Sequence, residues 1–131
     1  MLYYIYIGSN RVTIDHLSKI AGGMFMAVSS CNKATKVIDG IRERYNTSIL
    51  YEESTPQKDS QNITFLHKRF PRVYIILITE GLQKEHRKLY LQAGVNNTLS
   101  PMASEESLLQ MVKIPPVAQG AQTAGIQPVT P

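Results

Sequence analysis

The sequence predicts an α/β fold in which a doubly wound parallel sheet of five strands carries helices on both faces. Short apolar runs alternate strictly with segments of helical periodicity over the first 114 residues. This alternation is typical of βαβ units, whose right-handed crossovers place helices on both faces of a parallel sheet. Five strands within about 115 residues favour a flavodoxin-like sheet with the strand order 2-1-3-4-5.

Each predicted strand is a short run rich in β-branched and aromatic residues. The stretch LYYIYI is apolar or aromatic throughout, which is typical of a strand covered on both faces. The stretch RVYIILIT holds the longest apolar run and is predicted to be the central strand. The predicted strands cover residues 2–7, 24–30, 47–51, 72–79 and 95–100.

Each predicted helix has apolar residues three and four positions apart. In the first helix, Val12, Leu17 and Ile20 are expected to share one face, and the second helix is expected to continue to Tyr45. Gly94 is expected to end the fourth helix, since glycine is common just after a helix end. The predicted helices cover residues 12–20, 32–45, 60–70, 83–94 and 104–114.

The chain changes character after residue 114. The stretch PPVAQGAQTAGIQPVTP is uncharged, rich in Pro, Gly, Ala and Gln, and without periodicity. Such a segment is typical of a linker and cannot build a core of its own. We therefore expect one domain over residues 1–114 and a linker or tail over residues 115–131, and we expect the chain to be the N-terminal part of a longer polypeptide.

Composition and charge exclude several classes of protein. A net charge of +4 is mildly basic and does not by itself indicate a nucleic-acid-binding domain. A single cysteine, Cys31, cannot form an internal disulfide and suits a reducing cytoplasm. No stretch resembles a signal peptide, and no apolar run approaches the roughly 18 residues that would span a bilayer. We expect a cytoplasmic protein without a membrane span.

Polar residues follow the predicted strands at the points where these strands end. Glu52 and Glu53 follow the third strand, the tripeptide GSN follows the first, Thr79 ends the fourth, and the tripeptide SPM follows the fifth. Ligand sites of doubly wound sheets lie at the carboxyl ends of the strands. These residues are therefore the candidate site, although the paired acids are also typical of a solvated strand end.

Residues 2–114 resemble a bacterial response-regulator receiver domain. The stretch TSILYEESTP is similar to the third strand and loop of that family, in which a proline follows the phosphoacceptor Asp by four residues. This places Glu52 at the phosphoacceptor position and Pro56 at the proline. The stretch YIILITE is similar to the fourth strand, with Thr79 at the position of the conserved hydroxyl, and LQAGVNNTLS resembles the entry into the fifth strand.

The chain departs from the receiver pattern at three functional features of the site. Where the family has two acids that hold Mg²⁺, this sequence has Gly8, Ser9 and Asn10. Where the family has Lys-Pro after the fifth strand, the sequence has Pro101 and Met102. The nucleophilic Asp is replaced by a Glu. The resemblance therefore implies a degenerate site.

These departures bear directly on the chemistry. Phosphoryl transfer to a carboxylate needs a placed nucleophile and cations that neutralise the developing charge, and Mg²⁺ prefers carboxylate oxygens. We therefore predict a pseudo-receiver that binds no metal or cofactor and is not an enzyme. Two interpretations of Glu52 stay open. It imitates a phosphorylated Asp, with Thr79 drawn toward it, or Glu52 and Glu53 form only a solvated strand end.

The resemblance also implies a role in two-component signal transduction, through an attached output domain and a protein partner or a homodimer. Receivers commonly pair through the fourth helix, fifth strand and fifth helix. The predicted interface residues on this surface are Lys88, Glu105, Glu106, Leu108 and Leu109. A monomer with solvated charges is the alternative.

Two further functions remain as alternatives. The domain could regulate an attached sugar transferase of polysaccharide assembly. It could also bind a small molecule or nucleotide in the strand-end cleft through Gly8, Ser9 and Thr79.

Overall fold

A computed structural model describes residues 2–42 and 44–112, except for the side chain of Tyr45. Five parallel strands form one sheet in the order β2-β1-β3-β4-β5, which confirms the predicted fold class and strand order. The strands are β1 (Tyr3–Ile7), β2 (Met24–Val28), β3 (Thr47–Glu52), β4 (Tyr74–Ile78) and β5 (Asn97–Leu99). The helices are α1 (Arg11–Ile20), α2 (Cys31–Asp39), α3 (Pro56–Arg69), α4 (Lys84–Ala93) and α5 (Glu105–Val112).

The sheet separates two hydrophobic cores, one on each face. On one face, α2, α3 and α4 cover alternate residues of β1, β3 and β4, among them Ile5, Ile49 and Ile75. On the other face, α1 and α5 cover the residues between, such as Tyr6 and Leu50. All five residues of β4 are buried, as expected for an inner strand covered on both faces.

The first helix begins one residue earlier than predicted, and its buried face differs. The Asn10 side chain caps the helix by accepting hydrogen bonds from the backbone N–H groups of Val12 and Thr13. Thr13 and Leu17, four residues apart, are the buried residues. Val12 is 68% exposed, so its predicted place on the buried face with Leu17 and Ile20 is wrong.

The second helix ends at Asp39 and does not reach residue 45 as predicted. The N–H of Gly40 bonds to the carbonyl of Val37, and that of Ile41 bonds to Ile38, so the chain leaves the helix through a tight turn. Ile41 still packs against the core from this connection. Glycine loses more freedom in a helix than other residues, which explains why the apolar periodicity did not extend the helix.

The third helix starts four residues before its predicted position. Pro56 occupies the first turn of α3, where proline lacks only an N–H that has no partner inside the helix. The predicted buried residues Ile63, Leu66 and Phe70 are confirmed. Gly94 ends α4 with a φ of 126°, as the sequence indicated.

The predicted tail, residues 115–131, and the last two residues predicted for the fifth helix lie outside the described residues. Within residues 2–42 and 44–112, no helix has the length and apolar character needed to cross a membrane.

Candidate functional site

The strand register brings the predicted site residues to one edge of the sheet. Ile7 pairs with Tyr51 across β1 and β3, and Glu52 pairs with Ile78 across β3 and β4. Gly8, Glu53 and Thr79, one residue beyond these strands, continue the ladder through backbone hydrogen bonds to Val28, Ile78 and Leu99, respectively. The residues that follow three separate strands therefore share one edge.

The carboxylate of Glu52 is turned inward toward β1. Its Oε1 accepts a hydrogen bond from the hydroxyl of Tyr6 at 2.6 Å and another from the backbone N–H of Asn10 at 2.9 Å. Tyr6 is completely buried. Burial raises the pKa of the Tyr6 hydroxyl, and the hydrogen bond to Glu52 and the charge of Glu52 raise it further. Tyr6 therefore stays protonated and donates a hydrogen bond to a carboxylate. Such charge-assisted hydrogen bonds are stronger than those between neutral groups.

Gly8 leaves the space that the Glu52 side chain fills. A Cβ atom added to Gly8 would lie 2.6 Å from both the Cβ and the Cδ of Glu52, far inside van der Waals contact. Any side chain at residue 8 therefore requires Glu52 to move. Gly8 belongs to the tripeptide that stands where the receiver pattern has two acids, and an acid at residue 8 itself would exclude the observed Glu52 conformation.

Glu53, and not Glu52, accepts the hydrogen bond from the hydroxyl of Thr79. The Thr79 hydroxyl donates to Glu53 Oε1 at 2.6 Å and accepts a hydrogen bond from the N–H of Gly81 at 3.2 Å. The hypothesis that Thr79 turns toward Glu52 is therefore not what the structure contains. The backbone explains this, because the N–H of Glu53 bonds to the carbonyl of Ile78 and so holds Glu53 beside Thr79.

The predicted site residues line two adjoining clefts. A cleft of about 340 Å³ is lined by Asn10, Glu52, Glu53, Thr79 and Pro101, together with Glu80. No Lys or Arg occurs among the described residues that line it.

Gly8 and Ser9 line the second cleft, of about 400 Å³, on the side of α2 and α3. Glu52 lies between the two clefts and contributes to both. Across the described part of the chain, no three His, Cys, Asp or Glu side chains are grouped so that they could hold a metal ion.

Sequence reasoning missed Asp59, a completely buried carboxylate next to this site. It accepts hydrogen bonds from the N–H of Ser54 (2.8 Å), the hydroxyl of Ser54 (3.0 Å), the Tyr51 hydroxyl (3.2 Å) and the Tyr90 hydroxyl (2.8 Å). Four donors compensate for the loss of water around a buried charge. The available signal was Pro56, which marks the first turn of α3 and so places Asp59 near the positive end of the helix dipole.

Both tyrosines that bond to Asp59 are held in their protonated form. Burial raises the pKa of Tyr51 to about 12, with Asp59 contributing in the same direction. Burial also raises the pKa of Tyr90, and its hydrogen bond to Asp59 adds to the shift. The amide of Asn62 donates to the Tyr51 hydroxyl at 2.9 Å and continues the network along α3.

The predicted interface residues differ in their exposure. Lys88, Glu105 and Glu106 are exposed, and Leu109 is 42% exposed. Leu108 is completely buried in the core between α5 and the sheet, so its place among the interface residues is wrong. Helical geometry explains the difference, since adjacent residues of a helix point about 100° apart.

Solved structures with this fold are CheY-like receiver domains. A CheY-like protein (TadZ) from Pseudomonas aeruginosa PAO1 matches with a TM-score of 0.71 at 12% sequence identity, over 100% of this chain and 99% of that chain. The signal receiver domain of an HD domain-containing protein from Pseudomonas fluorescens Pf-5 matches with a TM-score of 0.71 at 15% identity, over 94% and 90% of the two chains. A putative pilus assembly protein (CpaE) from Burkholderia thailandensis E264 matches with a TM-score of 0.65 at 14% identity, over 86% and 99%.

No protein-family model matches the chain. No curated protein matches it either. The structural likeness at 12–15% identity therefore shows the fold, which is the CheY-like fold of the receiver domains of signalling proteins.

Proposed function

We propose that this domain is a non-catalytic, receiver-like interaction module of bacterial signalling that is not phosphorylated at residue 52. The conformation of Glu52 is the observation that carries this proposal. Its carboxylate faces Tyr6 and Asn10 and fills the space beside Gly8, which belongs to the tripeptide that stands where the family pattern has two acids.

The electrostatics of the cleft support the proposal. Glu52, Glu53 and Glu80 line the cleft, and no Lys or Arg is among the described residues that line it. An incoming phosphoryl group is itself anionic, and its transfer depends on Mg²⁺ or basic side chains that neutralise the charge developing on its oxygens. A lining whose charged side chains are all carboxylates raises the barrier to this reaction.

The hydrogen bonds of Glu52 also oppose its use as a nucleophile. A nucleophilic carboxylate must be directed at the incoming phosphorus, whereas the hydrogen bonds that Oε1 accepts from the Tyr6 hydroxyl and the Asn10 N–H hold the Glu52 carboxylate toward β1. Turning Glu52 outward would leave the buried Tyr6 hydroxyl without this acceptor, at a cost of about 1–3 kcal/mol.

Intact mass spectrometry tests the proposal. The protein is incubated with Mg²⁺ and acetyl phosphate beside a conventional receiver as a positive control. We expect the control to gain one phosphoryl group and this protein to keep its mass. A phosphoryl adduct that disappears in the Glu52→Gln variant would overturn the proposal, whereas an adduct that survives this substitution would place the modification elsewhere.

We further propose a cytoplasmic regulator in which this domain acts through an attached output domain and a protein partner. The solved structures support this, since one is the receiver domain of an HD domain-containing protein and another is a putative pilus assembly protein. Outputs that bind DNA or assemble polysaccharide stay as alternatives. Reading the coding sequence on the 3′ side of codon 131 would show whether an output domain follows, and its absence would contradict this proposal.

The second cleft favours small-molecule binding as a second candidate function. It combines the ammonium group of Lys58 with the polar side chains of Ser9, Asn32 and Asn62 at the carboxyl ends of β1, β2 and β3. Doubly wound sheets bind ligands at this edge. A thermal-shift screen of nucleotides, compared with the Lys58→Ala variant, would support this function only if stabilisation by a nucleotide depends on Lys58.

A further inference from the structure

We propose that Asp59 couples the loop after β3 to helix α4, so that the strand-end cleft and the outer surface of α4 move together. This device does not depend on phosphorylation or on a ligand, and it therefore goes beyond the proposed function.

The two oxygens of Asp59 divide its donors between three parts of the fold. Oδ2 accepts from the N–H of Ser54 in the loop and from the hydroxyl of Tyr90 on α4, each at 2.8 Å. Oδ1 accepts from the hydroxyl of Ser54 at 3.0 Å and from Tyr51 on β3 at 3.2 Å. The loop thus shares Oδ2 with α4 and Oδ1 with β3.

Burial makes this shared oxygen a strong constraint. Asp59 has no exposed surface, and none of its four hydrogen-bond donors is a cation. The carboxylate therefore depends on neutral donors alone. If the loop moved away while α4 stayed, a buried charge would lose two donors, and an unsatisfied charged group is costly in the low dielectric of a core. Motions that keep all donors together are favoured.

The positions of Ser54 and Tyr90 give the coupling a direction. Ser54 directly follows Glu52 and Glu53 in the chain, so a backbone movement of these acids in the cleft also displaces Ser54. Tyr90 is the buried residue of an α4 turn whose neighbours Lys88 and Leu91 are exposed. A displacement of the loop would therefore reach the outer surface of α4 without passing through Thr79.

Amide hydrogen exchange, measured by NMR on the full-length chain, tests the coupling. The Tyr90→Phe variant removes only the hydroxyl that α4 donates to Asp59. We expect the amide of Ser54 to exchange at least about fivefold faster in this variant, relative to the amide of Ile76 in β4, since allosteric couplings begin near that size. Because coupling is reciprocal, Ser54→Ala should in turn accelerate the amide of Val95, which bonds to the carbonyl of Tyr90.

Tyr4→Phe is the matched control. Tyr4 is also completely buried, but it lies on the other face of the sheet, and its hydroxyl has no hydrogen-bond partner among the described residues. Removing this hydroxyl should leave the ratio of Ser54 to Ile76 exchange unchanged.

The remaining outcomes decide against the coupling. Equal acceleration of Ser54 and Ile76 in Tyr90→Phe would mean that the hydroxyl contributes only to global stability. Unchanged Ser54 exchange would mean that the loop and α4 are independent. If Tyr90→Phe did not fold, the Ser54→Ala variant would decide, since Ser54 is exposed. An unchanged Val95 amide in that variant would overturn the proposal. The phosphodonor experiment is unaffected by either result.

Discussion

The substitution Gly8→Ala tests whether Glu52 occupies the space beside residue 8. The new methyl group would lie 2.6 Å from the Cβ and Cδ of Glu52, so the Glu52 side chain must move. Two costs follow. Overpacking costs about 1–3 kcal/mol. The charge-assisted hydrogen bond from the buried Tyr6 hydroxyl would also be lost. Such a bond contributes about 1.5–3 kcal/mol, and hydration of the displaced Glu52 carboxylate offsets part of this loss.

Since Glu52 is only half-buried and its carboxylate can hydrate, we expect a net loss of about 2 kcal/mol in the free energy of unfolding. With a urea m-value of about 2 kcal/mol/M, the unfolding midpoint should fall by about 1 M. Circular dichroism of urea titrations measures this shift. Gly22→Ala is the control, because a Cβ at Gly22 meets no atom within 4 Å, and it should leave the midpoint nearly unchanged.

A double-mutant cycle with Glu52→Gly isolates the contact, since glycine removes the Cβ that would clash. Gly8→Ala should then cost about 1–2 kcal/mol less than in the parent protein, within the usual range for residues in contact. An equal cost in both backgrounds would refute the inference that Glu52 fills this space.

Three further predictions concern ionisation, metal binding and association. Because the pKa of Tyr51 is about 12 in the folded protein and about 10 in the unfolded chain, stability is retained below pH 10 and lost as the pH rises toward 12. In urea titrations from pH 9 to 11, Tyr51→Phe should reduce this loss by about 1.4 kcal/mol per pH unit above pH 10, and an unchanged slope would contradict the assigned pKa. Gly8→Asp alone should not improve Mg²⁺ binding in calorimetry, whereas Gly8→Asp combined with Glu52→Asp should; improvement in the single variant would show that Glu52 does not obstruct the site. Sedimentation at tens of micromolar protein should show a dimer that Glu105→Lys with Glu106→Lys dissociates, and a monomer in both proteins would exclude this surface.

The fold was predictable because the first four strands contain apolar runs, and apolar runs separated by helical periodicity have few alternative arrangements. Element ends were less predictable. Ile41 is partly buried and packs against the core, yet it belongs to the connection after α2, so periodicity alone extended that helix too far. The resemblance places Pro56 in a loop, whereas it begins α3, and the predicted helix therefore starts four residues too late.

The site was predictable in its position but not in its contacts. Strand ends determine which residues meet at the edge of the sheet, and this placed Glu52, Glu53 and Thr79 together. Which acid bonds to Thr79 depends on side-chain direction and free volume, and neither is visible in the sequence. The burial of Asp59 was not predictable for a similar reason. Its hydrogen-bond donors lie on Tyr51 and Ser54, which precede it, and on Tyr90, 31 residues further on, and the sequence does not show that these side chains meet.

Gly8 and Glu52 are best understood as one structural unit. A glutamate at residue 52 is long enough to turn back along β1 and reach the hydroxyl of Tyr6. It can do so only because residue 8 has no side chain. Conversely, the buried Tyr6 hydroxyl bonds to Glu52, and a shorter side chain would leave it without that acceptor. A return to metal binding would therefore require changes at both residues together, since either change alone produces a clash or an unsatisfied buried hydroxyl. This mutual dependence is the physical basis for expecting a receiver fold that is held in one state at this site.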